Sequence, residues 1–266
     1  MQLDLLDELR AQNPVIFNIA NFVTVQDVAN AVNAIGASPI MSNEIAEAEE
    51  IVRMASAVAV NIGCLTKEQI NHIKKVEDLA RQYNKPIVFD PVAVGAVEYR
   101  YKIADKLLWD FHTSIIRGNI GEIAALGDFN WNSKGIDAGS GSGNIDDIAM
   151  KTAQKYHCTV IASGPTDTIS DGKRLAHVHN GSPLFKTHVG SGDMLSSIVT
   201  AFTTVTDDPF EAAQIGALVF SCAGQMVVQD HPSVGPGTFG MYLMDYLYKV
   251  TVPDIKQIAD FDQGTS

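Results

Sequence analysis

Short apolar runs of strand length alternate with amphipathic helical segments along almost the whole chain, and this alternation limits the fold more than any single motif. Val15-Ile16-Phe17-Asn18-Ile19, Ala57-Val58-Ala59-Val60-Asn61-Ile62, Ile87-Val88-Phe89, Thr113-Ser114-Ile115-Ile116 and Thr159-Val160-Ile161-Ala162 are largely apolar runs rather than alternating ones. Strands covered on both faces read that way. Ser38-Pro39-Ile40-Met41 adds a shorter extended piece. Between these runs the helical period returns, over 3–11, 24–34, 44–54, 66–81, 103–109 and 144–156. Thr66 and Gln69 have the spacing of a capping box, and Ile70, Ile73, Val76, Leu79 and Ala80 form the inner stripe that follows. The pattern predicts an α/β fold, a mostly parallel central sheet with helices on both faces. A chain of 266 residues with 46% hydrophobic content can bury a large core, and one composition class runs through residues 1–266, so a single domain is expected.

Three segments bear on the second half of the fold. Lys134 to Gly143 carries four glycines in ten residues and reads as a surface loop. Asn180-Gly181, between 174–179 and 184–188, is a hairpin turn signal. Asp208, Pro209 and Glu211 give a cap, a first-turn proline and an N3 carboxylate for a helix running to Val228, and Met241 to Val250 reads as the last helix.

The charge balance excludes several functions. Nineteen basic against thirty-one acidic residues give a net charge of −12, which disfavours nucleic acid and anionic membrane surfaces as partners. No secretory signal opens the chain, and no apolar stretch suggests a membrane span. Cys64, Cys158 and Cys222 are too few and too scattered for a disulfide framework or a zinc site, and each reads as a core residue. A cytoplasmic protein is expected.

Chemistry concentrates at Gly190-Ser191-Gly192-Asp193. Two glycines permit a sharp bend before an apolar helix, and orphan N–H groups at such a helix start seat an anion. Asp193 would repel that anion, so it is either a base that takes a hydroxyl proton or a cap on the helix. The glycine spacing is not a dinucleotide fingerprint, and no Walker lysine follows. Other candidates sit at strand ends, where open α/β sheets place ligand groups. Asn18 and Asn21 flank the first strand and are ligand contacts or loop residues. Met41 is core filler or a binding residue. Asp90 could hold a metal ion near phosphates or cap its loop, and Glu122 is a magnesium ligand or the return half of a cap begun by Asn119. Arg117 can take a phosphate bidentately. Together these parts suit phosphoryl transfer to a small alcohol, where catalysis is positioning and charge neutralisation.

Several motifs resemble those of the hydroxyethylthiazole kinases, thiamine-salvage enzymes of the ribokinase-like superfamily: Asn18-Ile19-Ala20-Asn21, Gly36-Ala37-Ser38-Pro39-Ile40-Met41, Asn61-Ile62-Gly63, Asp90-Pro91-Val92, Arg117-Gly118-Asn119, Lys134-Gly135-Ile136-Asp137-Ala138-Gly139, Gly190-Ser191-Gly192-Asp193 and Gly235-Pro236-Gly237-Thr238-Phe239. The resemblance runs from about Asn18 to the last helix. It implies a ribokinase-like three-layer architecture and ATP-dependent phosphorylation of 4-methyl-5-(2-hydroxyethyl)thiazole, with magnesium, in a homotrimer whose active sites lie between subunits. It further implies Met41 and Gly190 at the thiazole with Asn21 nearby, Arg117 and Ser163 at ATP, Asp90 and Glu122 at the metal, and Asp193 as base beside the anion hole of Gly190, Ser191 and Gly192. The sequence departs from the usual pattern at Phe17, Ala93, Ser163, Pro165 and Val234. Rival expectations are a hydroxymethylpyrimidine kinase, a nucleotide-driven dehydratase of hydrated nicotinamide nucleotides, and a non-catalytic nucleotide sensor.

Overall fold

A computed structural model describes residues 1–134, 137–141 and 143–264. The first half of the chain builds α1 (Leu5–Gln12), β1 (Val15–Ile19), α2 (Val25–Ile35), β2 (Ser38–Met41), α3 (Ala48–Met54), β3 (Ala57–Asn61), α4 (Lys67–Gln82), β4 (Ile87–Asp90), α5 (Glu98–Asp110), β5 (Ile115–Asn119) and α6 (Ile120–Leu126). The second half builds β6 (Trp131–Lys134), β7 (Asp137–Gly141), α7 (Ile145–Tyr156), β8 (Thr159–Ser163), β9 (Asp167–Ser170), β10 (Leu175–Val178), α8 (Ser191–Phe202), α9 (Pro209–Asp230), α10 (Pro236–Lys249), α11 (Val252–Ile258) and β11 (Phe261–Gly264).

One sheet of nine strands runs in the order β2-β1-β3-β4-β5-β8-β9-β10-β11. From β2 to β8 every pairing is parallel; β9, β10 and β11 continue it antiparallel. Successive strand residues point to opposite faces, so each strand feeds two cores. Ile16, Val88, Ile115 and Ile161 join the core under α1, α2, α8, α9 and α10. Phe17, Ile19, Phe89, Ile116 and Val160 join the core under α3 to α7. The three-layer α/β architecture expected from the alternation is therefore present.

Several local expectations are corrected. Asn180-Gly181 is not a hairpin turn: β10 turns back on β9 through Asp171–Arg174, where Asp171 accepts from the Lys173 and Arg174 N–H groups (2.9 and 2.6 Å). Asn180 instead ties down the chain end, donating to Ile258 O (2.8 Å) and accepting from Asp260 N–H (2.7 Å). Pro183 then starts a 3-10 turn, Pro183–Lys186, rather than a strand. The glycine-rich segment holds the two-stranded ladder β6–β7 instead of a loop, with Gly135, Ile136 and Ser142 outside the described residues. Thr66 caps α4 through Gln69 N–H (3.1 Å), but the reciprocal half of the box is missing and Gln69 Oε1 is buried without a partner among the described residues. Cys64 is half-buried, whereas Cys158 and Cys222 are core residues. At 22 residues, α9 is long and apolar enough to cross a membrane, contrary to the sequence expectation; it is mostly buried, packed between the sheet, α8 and α10. A helix enclosed on all sides needs no polar face.

The inner stripe of α4 is buried as expected, and Glu77 is buried with it, neither carboxylate oxygen having a partner among the described residues. Burial, helped by Asp78 and Asp110, pushes its carboxyl up to about 9 from 4.5. The folded state therefore keeps a proton that the unfolded chain releases above about pH 4.5, so stability falls as pH rises between those values, by roughly 3 kcal/mol at pH 7. Glu77→Gln keeps the shape without the proton cost. It should raise Tm by several degrees at pH 8 and by distinctly less at pH 5.5, measured by scanning calorimetry. An equal gain at both pH values would refute a neutral buried Glu77.

Candidate active site

Parallel strands end at the same sheet edge, and this chain loads that edge with polar residues. In register, Asn61 at the end of β3 lies beside Asp90 at the end of β4, and Asn119 at the end of β5 beside Ser163 at the end of β8. Asn18 pairs with Met41 across β1 and β2. The carboxyl edge is the ligand side of such sheets. Onto it α8 points its N-terminus.

That helix starts at Ser191, three residues earlier than the apolar run suggests, with Gly190 at its N-cap in the left-handed region (φ +99°). Asp193 is not the cap. Its Oδ2 accepts from Asn21 Nδ2 (2.8 Å) and Thr24 Oγ1 (2.5 Å), and its Oδ1 accepts from Asn61 Nδ2 (3.1 Å). Ser191 N–H closes a turn onto His188 O (3.3 Å) and Met194 N–H returns to Gly190 O (2.9 Å). The amides of Gly192 and Asp193 are thus the ones left for an anion, as the sequence suggested for a helix start.

Arg117 lies against that helix start. A Cβ on Gly192 would come within 2.2 Å of its Nη1, so the glycine is what lets the guanidinium approach. Nη2 donates to Ser163 Oγ (2.6 Å), which in turn donates to Gly118 O (3.2 Å), and Nη1 is 3.5 Å from Asp90 Oδ2. Asp90 Oδ2 also accepts from Ser196 Oγ (2.7 Å), a contact the sequence did not suggest because Ser196 sits in an apolar helix.

Asp90 and Glu122 are both buried, and the charge of Asp90 bears on Glu122. Burial pushes Asp90 up to about 6, with Asp193 adding and Arg117 opposing. Burial and Asp90 push Glu122 up to about 7, opposed by two backbone donors. Those donors are Ala93 N–H (2.7 Å) and Asn119 N–H (2.8 Å), and Asn119 Oδ1 accepts from Glu122 N–H (3.0 Å). The capping box expected from Asn119 and Glu122 is therefore formed. Ala93 adopts φ +64° to aim its N–H, a conformation a non-glycine residue rarely takes. Among the described residues no three His, Cys, Asp or Glu side chains converge on a metal position.

Asp167, which carried no role in the sequence reading, is buried beside Ser163. It accepts from Gly164 N–H (3.0 Å) and Ser221 Oγ (3.5 Å), and burial pushes it up to about 6. Asn18 also lies at the edge: Nδ2 donates to Ile16 O (2.9 Å) while its buried Oδ1 has no partner among the described residues. Asn21 is fully engaged, with Nδ2 on Asp193 and Asn61 Oδ1 (3.2 Å) and Oδ1 accepting from Val23 and Thr24 N–H (2.9 and 3.2 Å). Met41 is half-buried and packs against the core under α2 and α8.

Two concavities meet this edge. A cavity of about 10 Å³, room for one water, is walled by Asn18, Asn21, Thr24, Asn61, Asp90 and Asp193. A cleft of about 510 Å³ lies beyond Ser163, between Ser163–Thr166 and the start of α7 at Asn144 and Asp146. Arg117, bonded to Ser163 and beside Asp90, bridges the two.

Residues 6–253 match the model of the hydroxyethylthiazole kinase family. A hydroxyethylthiazole kinase from Levilactobacillus brevis is 58% identical over 98% of this chain and 100% of its own length. The solved hydroxyethylthiazole kinase of Pyrococcus horikoshii OT3 superposes with a TM-score of 0.89 at 31% identity, covering 98% of both chains. A ribokinase-like superfamily protein from Enterococcus faecalis V583 shares the fold at a TM-score of 0.62 and 14% identity, over 94% of this chain and 95% of that one. The chain belongs to the hydroxyethylthiazole kinase family.

Proposed function

We propose that Asp193 is the base of this kinase and that the Gly190-Ser191-Gly192 start of α8 is the anion hole for the transferring phosphoryl group, through the amides of Gly192 and Asp193 that the helix start leaves for an anion. As a family member the chain is a small-molecule phosphotransferase that phosphorylates the hydroxyl of 4-methyl-5-(2-hydroxyethyl)thiazole, with ATP as co-substrate. One observation carries the assignment of roles: a carboxylate held by neutral donors stands one residue from amides free to bind an anion, with a guanidinium packed on the same turn.

In this reading the thiazole alcohol lies over Asn21, Met41 and Gly190, on the Asp193 side. ATP lies in the larger cleft, with Ser163 and Arg117 at its phosphates. The acceptor hydroxyl gives its proton to Asp193 as its oxygen bonds to the γ-phosphorus, and the bond to ADP breaks with the electron pair leaving on ADP. Helix N-terminal amides and Arg117 stabilise charge that builds on the phosphoryl oxygens. Asp90 and Glu122 fit a magnesium ion: they are hard oxygen donors whose mutual repulsion a divalent cation relieves, and magnesium commonly takes one or two carboxylates together with phosphates and water. When bound, magnesium would neutralise phosphate charge.

The same reading takes residues 1–266 as one catalytic domain and a homotrimer as the working form, with active sites between subunits. Phe22, Val23 and Val189 support the latter, since they are 80%, 62% and 61% exposed and adjoin Asn21, Thr24 and Gly190. A second subunit would cover them. Free cysteines at 64, 158 and 222 are in keeping with a reducing, cytoplasmic setting.

The acceptor is tested by offering magnesium-ATP with hydroxyethylthiazole and with hydroxymethylpyrimidine. Phosphorylation of the thiazole alone is expected, and transfer to the pyrimidine alone, or to neither, would reject the reading. Asp193→Asn should lower kcat by about two orders of magnitude or more while ATP binding, followed by calorimetry, stays near wild type. Gly192→Ala drives a methyl into Arg117 and should cut kcat/KM for ATP about tenfold or more at little change in Tm; unchanged kinetics would show that Arg117 does not need its place on α8.

A further inference from the structure

We propose that Thr24 and Asn61 are positioning residues for Asp193, clamping its carboxylate so that Oδ1 keeps a lone pair for the acceptor's proton. This rests on Asp193 being the base. An ionised carboxylate offers about four lone-pair positions. Two on Oδ2 are taken by Asn21 Nδ2 (2.8 Å) and Thr24 Oγ1 (2.5 Å), and one on Oδ1 is taken by Asn61 Nδ2 (3.1 Å). Oδ1 is left with the remaining position.

Thr24 is set up for this task at the expense of an ordinary one. It occupies the N-cap of α2, where a threonine hydroxyl normally accepts from the first helical turn, yet its side chain makes no capping bond. The hydroxyl lies closest to Asp193, across 169 residues of sequence, with Asn21 Oδ1 a more distant second acceptor at 3.3 Å. Gly190 makes room for it, because a Cβ there would lie 2.9 Å from Thr24 Cγ2. A glycine in the left-handed region therefore does two things at once, turning the chain into α8 and letting Thr24 reach the carboxylate.

Asn61 is held with equal care. Its Oδ1 accepts from Gly63 N–H (2.8 Å) and from Asn21 Nδ2 (3.2 Å), which orients Nδ2 toward Asp193. All three donors are neutral, so they orient the carboxylate without cancelling its charge. In the transfer, the hydroxyl proton moves to Oδ1, the acceptor oxygen bonds to phosphorus, and the bond to ADP breaks with its electrons staying on ADP.

The test measures kcat and both KM values for Thr24→Val, Thr24→Ser, Asp193→Asn and the double variant Thr24→Val with Asp193→Asn, with hydroxyethylthiazole and magnesium-ATP. Loss of one charge-assisted hydrogen bond predicts a fall in kcat of about ten- to a hundredfold for Thr24→Val, with both KM values within about threefold. Thr24→Ser restores the hydroxyl and should recover kcat to within about threefold. In the Asp193→Asn background Thr24→Val should add nothing. Full kcat in Thr24→Val beside an inactive Asp193→Asn overturns the clamp and leaves the base standing. Near-normal turnover in Asp193→Asn overturns the base and the clamp with it. A loss confined to KM, or no rescue by serine, also overturns the clamp. Should Thr24→Val not fold, Thr24→Ala supplies the same deletion.

Discussion

Arg117 is the counter-charge on which the carboxyl edge of the sheet depends. Asp90, Glu122 and Asp167 are all buried there, and the guanidinium opposes the upward push of burial on each of them. A lone buried carboxylate would take up a proton rather than stay charged. With one cation shared among three acids, their charge is only partly compensated. Such a site is expensive for the fold and useful for a ligand that carries its own charge, because binding completes a compensation the protein leaves unfinished.

The same economy explains where side chains are absent. Gly192 lets the guanidinium lie on α8, and Gly190 lets Thr24 reach Asp193. A Cβ at either place would push a functional group off the helix start. Ala93 solves a similar problem differently, taking a left-handed backbone to deliver its N–H to Glu122. Strain held at a site must be offset by the surroundings, here by the capping box that already fixes Glu122.

Sequence made the architecture legible because buried parallel strands leave unbroken apolar runs, and β1, β2, β3, β4 and β8 begin within a residue of where those runs begin. It misplaced the hairpin because the asparagine and glycine that mark a turn serve equally well to anchor a distant segment, as Asn180 does at Ile258 and Asp260. Strands β9 and β11 are short and mixed in polarity, so no periodicity announces them. At the site, Asp193, Arg117, Asp90 and Glu122 were visible because charged residues beside glycines or strand ends are unusual. Thr24, Ser196 and Asp167 were not. Each looks ordinary locally, and its partner lies 169, 106 or 54 residues away.

The departures from the family pattern can be sorted by where their side chains lie. Phe17 is fully buried and faces the core under α3 to α7, its ring 6.1 Å from His72, on the side of the sheet away from α8. Alternation along β1 puts it out of reach of Asp193. Ser163 keeps the one atom its neighbours use, the hydroxyl that accepts from Arg117 and donates to Gly118. Val234 packs against the core beneath α9 and α10. Pro165 differs in kind, since it is exposed on the wall of the larger cleft. Proline fixes φ in the loop that carries Ser163 and Gly164. Pro165 therefore bears on the shape of the larger cleft, while the hydrogen-bonded cluster of Asn21, Thr24, Asn61 and Asp193 contains none of these departures.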